Sequence, residues 1–234
     1  MMTPLRMPLG GRGVMSPLGV TAGAAAVAPW YLSGGIAAAN CLAAYTPKGA
    51  ASLAASYDNN AAPGNGLADG TYDCTLGVAP TFDTSYGWSL NGSTQWLSTG
   101  IAQGAANWSW VVQFSDGATD SGYLLGAYDA DNKMTGLRPS WITQIIANAS
   151  TYHICAIANK ATSGIEIIAD RNLYVGGLLI EAIITDDSIP TTTVGIGQLV
   201  PVGSFWAGKI QRFACYNIDI SSYAAALYAA MAAL

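Results

Sequence analysis

Residues 208–234 read GKIQRFACYNIDISSYAAALYAAMAAL, and this stretch predicts a strand that leads through a turn into a short helix. Successive side chains of a strand point to opposite faces of its sheet. The alternation places one set of side chains on one face: Ile210, Arg212, Ala214 and Tyr216. It places a second set on the other face: Gln211, Phe213 and Cys215.

The terminal helix is indicated by a change of period after the strand. Asp219 and Ser221 are both of residue types that cap helix N-termini. Tyr223, Leu227 and Met231 then recur every four residues. This spacing puts them on one helix face and predicts that the face packs against the sheet.

The strand, corner and helix together resemble the closing elements of laminin-G-like, concanavalin A-like jelly rolls. In that family a G-x-I strand and a Tyr-Asn corner precede a short helix. Three earlier stretches resemble other parts of the family: WSLNGSTQW (88–96) its opening hairpin, YHICAI (152–157) its W-H-x-V-A strand, and residues 194–210 its I-G and F-x-G-x-I segments. The resemblance covers residues 72–234 and implies an all-β, concanavalin A-like jelly-roll sandwich with a short C-terminal helix.

The pattern of residues 72–234 is itself typical of short strands separated by turns. The Asn91-Gly92 pair between two apolar runs predicts a two-residue hairpin. Residues 107–115 alternate strictly, with four apolar side chains on one side: Trp108, Trp110, Val112 and Phe114. Further strands are expected over six segments: Gly122–Tyr128, Ile142–Ala147, Tyr152–Ala158, Gly164–Ala169, Leu178–Thr185 and Thr192–Leu199.

The start of the chain has a different composition. Residues 1–34 are rich in glycine, proline and alanine and cannot form a core of their own, so we expect an extended arm. Residues 35–70 are predicted to form short Ala-rich helices, over 36–45 and 49–57, and then a turn-rich linker. The jelly-roll domain is expected over residues 71–234.

The run AAYTPKGAASLAASY (43–57) resembles the lead-in of bacteriophage and prophage structural proteins that carry a laminin-G-like domain. The resemblance implies that other virion subunits hold the N-terminal arm. Arg6, Arg12, Trp30 and Tyr31 are the candidate assembly residues of that arm.

Composition also bears on partners. Apolar residues make up 51% of the chain and charged residues 10%, against a typical charged share of about 25%. We therefore expect partner subunits to cover apolar surface, in a homo-oligomer for which a trimer is one form by analogy. The alternative is a lone lectin with a Ser/Thr/Asn surface. Residues 1–57 carry a net charge of +3 and the remainder −8, which argues against nucleic acid as the main partner.

The sequence gives little indication of targeting, membrane or zinc segments. Pro17, Gly19 and Gly23 interrupt the apolar stretch near the start, so a signal peptide is not expected. Residues 13–47 carry no charge, but Pro29, Gly34, Gly35 and Asn40 argue against a membrane span there. The four cysteines lack the short spacings of zinc ligands. Cys155 and Cys215 lie in apolar runs and are interpreted as buried thiols, while a disulfide between any two cysteines stays open.

A catalytic site would have to be built from the carboxylates and the single histidine of this chain. In glycosidases of the concanavalin A-like fold, the two carboxylates stand at alternating positions of one strand. Glu166 and Glu181 are the only glutamates, and neither has an acidic residue two positions away. His153, the single histidine, has no G-x-S-x-G nucleophile motif to serve. We therefore predict that the chain is not an enzyme.

Two kinds of ligand contact are suggested. Loop carboxylates suit calcium, which laminin-G-like domains often bind at a sandwich rim, and four aspartates lie in predicted loops: Asp116, Asp120, Asp129 and Asp131. Their alternative role is that of solvated turn residues. No other cofactor is expected. Trp141 and Trp206 lie near predicted loops and are the candidates for stacking on a sugar, with packing at the rim as the alternative.

These observations favour a bacteriophage virion structural protein, either a surface decoration or a tail or fibre component. It would be made in the host cytoplasm and displayed on the virion surface, with the arm as anchor and the jelly roll projecting. The first alternative is a carbohydrate-binding, lectin-like module for host glycans. The second is a glycoside hydrolase, which would need the paired carboxylates that the sequence does not supply.

Overall fold

The computed structural model describes residues 28–62, 64–102, 108–118, 122–129, 131, 133–139, 142–148, 151–155, 161–170, 172–182, 190–201 and 203–234. Within these ranges the strands in chain order are β1 (Cys41–Tyr45), β2 (Thr75–Val78), β3 (Thr81–Asp83), β4 (Gly87–Asn91), β5 (Trp96–Ala102), β6 (Ser109–Ser115), β7 (Leu125–Tyr128), β8 (Met134–Arg138), β9 (Ile142–Asn148), β10 (Thr151–Cys155), β11 (Gly164–Ala169), β12 (Asn172–Val175), β13 (Leu178–Ala182), β14 (Thr193–Ile196), β15 (Gln198–Leu199), β16 (Ser204–Phe205) and β17 (Ala207–Tyr216). Helix α1 is Ala224–Ala232, and 3-10 turns cover Trp30–Leu32, Ala38–Asn40, Ala55–Tyr57 and Ser221–Tyr223.

Most strands belong to two antiparallel sheets. The larger sheet has the order β13-β12-β11-β6-β17-β4-β3, and β1 also pairs with β17. The smaller sheet has the order β10-β9-β8-β7-β14-β5-β2. Strands β15 and β16 form a separate pair. The predicted fold class, an all-β sandwich with a short C-terminal helix, is confirmed.

The main core lies between the two sheets. Trp110, Phe114 and Phe213 of the larger sheet pack in one cluster with Leu97 and Leu125 of the smaller sheet. Burying a side chain of this size contributes about 1.5–3 kcal/mol. The four apolar residues predicted to share one side of residues 107–115 all belong to this cluster, so that prediction is confirmed.

A second core covers the outer face of the larger sheet. Leu227 and Met231 of α1 are fully buried there, in a cluster with Ile167 and Ala214. The predicted helix stripe is confirmed at these two positions, and Tyr223 packs at its edge. The helix is therefore a cover for the sheet and not a free appendage.

The helix predicted over residues 36–45 is wrong over its second half. Cys41–Tyr45 is strand β1, antiparallel to the C-terminal half of β17. Alanine favours a helix locally, but the pairing buries Ala43, Ala44 and Tyr45 completely. Tyr45 also stacks on Phe213, with 4° between the ring planes. Residues that the sequence placed ahead of the jelly roll thus complete its larger sheet.

Residues 49–57 contain one 3-10 turn, Ala55–Tyr57, in place of the second predicted helix. This turn is fixed by a buried hydrogen bond, in which the indole N–H of Trp88 donates to the Ser56 hydroxyl over 2.7 Å. Asn59 follows, and its side-chain amide donates to the carbonyl groups of Leu42 and Thr71. Side-chain hydrogen bonds therefore replace the backbone ladder of a helix here.

The Asn91-Gly92 hairpin prediction is also wrong. Strand β4 belongs to the larger sheet and β5 to the smaller one, so the turn between them crosses the sandwich. The Asn91 side-chain oxygen accepts the backbone N–H groups of Ser93, Thr94 and Gln95. This local capping lets the chain change sheets without pairing β4 to β5.

Among the six further predicted segments, the 164–169 strand coincides with β11, and the other five overlap β7, β9, β10, β13 and β14–β15. No signal in the sequence analysis pointed to β8 or β12. Both are short strands in the interior of a sheet, and their neighbours define them better than their own composition does. None of the helices in the described part of the chain is long and apolar enough to cross a membrane.

Candidate functional site

A polar groove of about 350 Å³ opens on the outer face of the larger sheet, beside helix α1. We call it the helix-side groove. Its floor comes from β6, β11 and β17, one wall from α1, and its rim from the turn before β11. Its lining residues are Gln113, Phe114, Ser115, Ser163, Gly164, Ile165, Gln211, Tyr228 and Ala232. The volume falls within the range of small-molecule sites.

The floor of the groove depends on a β-bulge in β17. The register with β6 shifts between Ile210 and Arg212. Ile210 and Phe213 both belong to the core between the sheets, so Gln211 and Arg212 face outward side by side. This corrects the predicted alternation, which placed Ile210 with Arg212 and Gln211 with Phe213. A bulge redirects side chains in this way, because it inserts one extra residue into a strand.

Arg212 is the only strongly buried cation in the described part of the chain, with 5% of its surface exposed. Its Nη1 donates to the Oε1 atom of Gln113, which stands opposite it on β6. Its Nε atom is buried without a partner. Burial lowers the pKa of the guanidinium, yet arginine stays protonated in proteins. The groove floor therefore has a positive charge beneath it that none of the described carboxylates balances.

The hydrogen bonds define what the groove offers a ligand. Because Gln113 accepts from Arg212 through Oε1, its Nε2 hydrogens are the free donors. Gln211 donates through Nε2 to the Ser115 hydroxyl over 3.4 Å, which leaves its Oε1 atom as a free acceptor. The hydroxyl of Ser163, an exposed residue, adds a donor and acceptor at the rim. Planar amides and hydroxyl groups of this kind match the hydroxyl groups of a sugar.

Helix α1 holds the aromatic wall of the groove. Leu227 and Met231 anchor the helix to the sheet, and Tyr228 is carried on the neighbouring helix surface. The Tyr228 ring lies close against Gly177, where an added Cβ would be 3.0 Å from the ring. The ring is therefore held in place by backbone contact and is half-buried. An aromatic face beside amides and hydroxyls is a suitable surface for a pyranose ring.

The four aspartates predicted to bind calcium have different roles where they are described. Asp129 is buried, and its carboxylate accepts backbone N–H groups of Asp131, Lys133 and Thr191. Asp131 instead lies 3.7 Å from the Lys133 ammonium. The described ranges contain no group of three His, Cys, Asp or Glu side chains suited to a metal ion.

Asp116 lies apart from that loop and forms an ion pair with Lys209, with 2.6 Å between Oδ2 and Nζ. The hydrogen bond that the Lys209 ammonium donates to Asp116 raises the pKa of Lys209. Asp120 lies outside the described residues. Calcium binding stays a prediction, and the carboxylates of Asp116 and Asp129 already have protein donors.

Trp206 is wrong as an exposed sugar platform. It is completely buried, meets Phe114 edge-to-face at 6.0 Å, and closes against Gly208. Its ring belongs to the core cluster between the two sheets. Trp141 lies outside the described residues, so its predicted role stays a prediction.

The candidate assembly residues that the structure describes contact their own chain. Trp30 is buried, and its indole N–H donates to the Thr46 hydroxyl over 3.2 Å. The Tyr31 carbonyl accepts from the Tyr216 hydroxyl, and the Tyr31 hydroxyl donates to the Asn60 carbonyl. Trp30 and Tyr31 therefore pack on the sandwich of their own chain, and their role in contacts with another subunit stays a prediction. Arg6 and Arg12 lie outside the described residues.

Glu166 is a second unusual ionisable group. It stands on β11 between Val112 of β6 and Val175 of β12, on the face that points into the core between the sheets. It is 1% exposed, and neither carboxyl oxygen has a hydrogen-bond partner. Loss of hydration raises its pKa to about 8. In this position the carboxyl group does not reach a substrate in solvent.

The cysteines described with side chains are also inert. Cys41, Cys74 and Cys215 are buried free thiols. Burial raises all three pKa values, that of Cys215 to about 12. The prediction for Cys215 is confirmed. The side chain of Cys155 lies outside the described part of the structure.

No protein-family model matches this sequence, and no curated protein sequence matches it. Solved structures do share the fold. Domain 4 of AbnA, a GH43 extracellular arabinanase from Geobacillus stearothermophilus determined with arabinotriose, has a TM-score of 0.55 at 13% identity. The match covers 81% of this chain and 98% of that domain.

Two further structures are similar. The receptor binding domain of botulinum neurotoxin D has a TM-score of 0.55 at 11% identity, with 83% of this chain and 53% of that chain covered. Trypanosoma rangeli sialidase in complex with sialic acid has a TM-score of 0.53 at 12% identity, with 83% and 33% covered. This chain thus spans about half of the toxin domain and a third of the sialidase. At these identities the likeness shows a shared β-sandwich fold.

Sequence reasoning missed the groove residues Gln113, Gln211 and Tyr228. The period-two pattern identified Gln113 as outward-facing, but an outward glutamine in a strand is ordinary. A signal for the bulge was present in the Gln-Arg pair between two apolar residues, Ile210 and Phe213, since two consecutive polar residues interrupt strict alternation.

Proposed function

We propose that this chain is a carbohydrate-binding module that recognises glycans without cleaving them. The observation that carries the proposal is the helix-side groove, in which amide and hydroxyl groups lie beside the Tyr228 ring. Sugar recognition needs this combination of directional hydrogen bonds and an apolar face. The groove lies over rigid paired strands, so its polar groups are positioned before a ligand arrives.

The solved structures support the proposal by analogy of fold. The arabinanase domain was determined with arabinotriose, the sialidase with sialic acid, and the toxin domain is a receptor-binding domain. The prediction that the chain is not an enzyme stays a prediction. The buried position of Glu166, one of two glutamates, is consistent with it.

The experiment is a glycan array probed with the purified chain, followed by calorimetric titration of the sugars that bind. We expect Gln211→Ala to weaken binding about fivefold or more, because it removes a hydrogen-bonding group from the groove. The matched control is Gln95→Ala, since Gln95 is a half-buried glutamine of the β4–β5 turn and not of the groove. A blank array, or equal losses in both variants, would overturn the proposal.

We further propose that the module acts on the surface of a bacteriophage particle, as a decoration or a tail or fibre component. The resemblance of residues 43–57 to phage structural proteins supports this placement. So do the Gly/Pro/Ala-rich composition of residues 1–34 and the net charge of +3 over residues 1–57 against −8 in the remainder. Other virion subunits would be the partners of that segment. A homo-oligomer is part of the same proposal.

A further inference from the structure

We infer that the helix-side groove takes an acidic sugar, one that carries a carboxylate, and that Arg212 sets this preference. The inference rests on the proposed function and names its ligand class. The groove belongs to a protein with a net charge of −5, so the local charge at its floor decides whether an anion is accepted.

The charge around the groove floor is not balanced by the residues that line it. None of the residues that line the groove is acidic. Arg212 is buried beneath them, and in the described structure its polar partner is the neutral amide of Gln113. A buried cation with no counter-ion loses hydration without recovering it through an ion pair. An anionic ligand in the groove would supply the missing charge.

Two acids adjoin lining residues in the sequence. Glu166, next to Ile165, points into the core between the sheets and away from the groove. Asp116, next to Ser115, forms an ion pair with Lys209. That pair carries no net charge. Charges elsewhere on the body are screened over about 8 Å at physiological ionic strength. Among the charges of the described residues, Arg212 therefore contributes most to the field inside the groove.

The orientation of the Gln113 amide favours an anionic ligand. Arg212 holds the Gln113 Oε1 atom in a hydrogen bond. The Nε2 hydrogens of Gln113 are therefore the ones that can contact a ligand. A carboxylate accepts such hydrogens well, and a donor polarised by a neighbouring guanidinium donates more strongly. Gln113 is thus the contact residue and Arg212 the positioning residue. The Gln211 Oε1 atom and the Ser163 hydroxyl remain for the hydroxyl groups of the sugar.

The buried charge of Arg212 predicts selectivity for acidic over neutral sugars. A neutral sugar in this groove would leave the arginine charge buried and unbalanced. Its acidic counterpart, with a carboxylate in place of a hydroxymethyl group, would neutralise that charge. A hydrogen bond to a charged group is worth more than a neutral one, and the difference corresponds to about tenfold or more in affinity. We therefore expect uronic-acid and nonulosonic-acid glycans to bind more tightly than neutral glycans of the same linkage.

The test compares matched acidic and neutral glycans on the array, and then methyl β-glucuronide with methyl β-glucoside, or the equivalent pair for the best glycan, by ligand-observed NMR. Gln113→Glu places a carboxylate against Arg212 with almost no change of shape. We expect it to keep the fold and to weaken acidic-glycan binding at least about tenfold. Arg212→Gln should abolish the preference for the acid, while Lys133→Gln, which removes one positive charge from a loop outside the groove, should keep it.

Raising the salt concentration should weaken binding of the acidic sugar and leave binding of the neutral one unchanged. If neutral glycans bind as well as acidic ones, or if Gln113→Glu keeps the acidic preference, the inference is wrong and the proposed function stands. If neither class binds, both are wrong. Thermal unfolding of each variant identifies any loss that comes from misfolding, and Gln113→Glu then decides if Arg212→Gln does not fold.

Discussion

At the scale of single residues, Glu166 places a carboxyl group between two hydrophobic sheets. Valine side chains flank it on both neighbouring strands. An ionised carboxylate without partners is costly in such surroundings, so the group is neutral at pH 7 in the folded state. The unfolded chain holds the same group in water, where its pKa is near the ordinary value of 4.5.

This difference predicts how stability depends on pH. The folded pKa of about 8 lies above the unfolded value of 4.5. Between these values the folded state binds a proton that the unfolded state has released, so the free energy of unfolding falls as pH rises through this window. Each unit of pKa difference is worth about 1.4 kcal/mol, so the total change is a few kcal/mol.

We expect Glu166→Gln to remove this part of the pH dependence, because the amide is isosteric and does not titrate. The measurement is the free energy of unfolding in urea at pH 5, 7 and 9 for both proteins. Their difference should shift in favour of the variant as pH rises. Parallel pH profiles would contradict the proposed environment of Glu166.

The sequence pattern predicted the buried core residues better than it predicted the residues of the helix-side groove. Trp108 and Trp110 followed from alternation alone, because a buried strand face repeats every second residue. Trp206 was predicted to be exposed because it lies near predicted loops, yet its ring fills the core. Gln113 and Gln211 form the groove through a bulge and a helix that come from distant parts of the chain. The local sequence around each residue does not indicate that these elements come together.

At the scale of elements, the bulge in β17 gives the groove its shape. The extra residue turns Gln211 outward, and its carbonyl accepts the Lys48 N–H over 3.2 Å. Gly87 of β4 lies against the bulge with a φ of +86°, and an added Cβ would lie 2.3 Å from the Ile210 carbonyl oxygen. Only glycine fits this place, because it lacks a Cβ and tolerates a positive φ.

We expect Gly87→Ala to destabilise the protein by more than the cost of a positive φ alone, which is about 1–3 kcal/mol. Gly49→Ala is the matched control, since Gly49 has a φ of +89° and nothing within 4 Å of an added Cβ. The two variants should therefore differ by the clash with β17. The check is urea denaturation of both variants. Equal losses of stability in the two variants would show that the bulge moves to accommodate the added methyl group without further cost.

Strand β1 shows why some elements could not be predicted. Its sequence, CLAAY, contains a leucine and two alanines, which favour a helix when no tertiary contacts act on them. The partner of β1 is β17, more than 160 residues later in the chain, and only that pairing makes an extended conformation favourable. For β6 and β11 the signal was stronger, since β-branched and aromatic residues dominate both strands.

At the scale of the whole molecule, we propose that a second copy binds at an edge of one of the two sheets. Strand β13 ends the larger sheet, and three consecutive apolar side chains on it are exposed: Leu178, Leu179 and Ile180. An apolar edge strand with unpaired backbone groups is a template for another strand. The proposed homo-oligomer would form through this edge.

We expect Ile180→Lys to reduce self-association, because a charged side chain on an edge strand opposes pairing. The measurement is sedimentation velocity across a range of concentrations. Leu76→Lys is the comparison, since Leu76 is exposed on β2 at the edge of the smaller sheet. A monomeric wild-type chain would contradict the oligomer, and a loss of association with Leu76→Lys alone would move the interface to β2.

In the N-terminal part of the chain, some residues pack on the sandwich, and the proposed tether precedes them. Trp30, Tyr31 and β1 are held by the sandwich through the Thr46 and Tyr216 contacts and the β17 pairing. A chain shortened to residues 28–234 keeps all of these contacts, whereas one shortened to 46–234 loses them. Each large buried aromatic that is removed costs about 3–5 kcal/mol, against a total stability of about 5–15 kcal/mol.

We therefore expect residues 28–234 to unfold cooperatively and residues 46–234 to show no cooperative transition by circular dichroism. If residues 1–27 are the tether, the 28–234 chain should also bind glycans like the full chain while failing to sediment with phage particles. Co-sedimentation of the 28–234 chain would place the attachment on the sandwich. The two cuts distinguish a lost anchor from a lost structure, because only the cut at residue 45 removes Trp30 and β1.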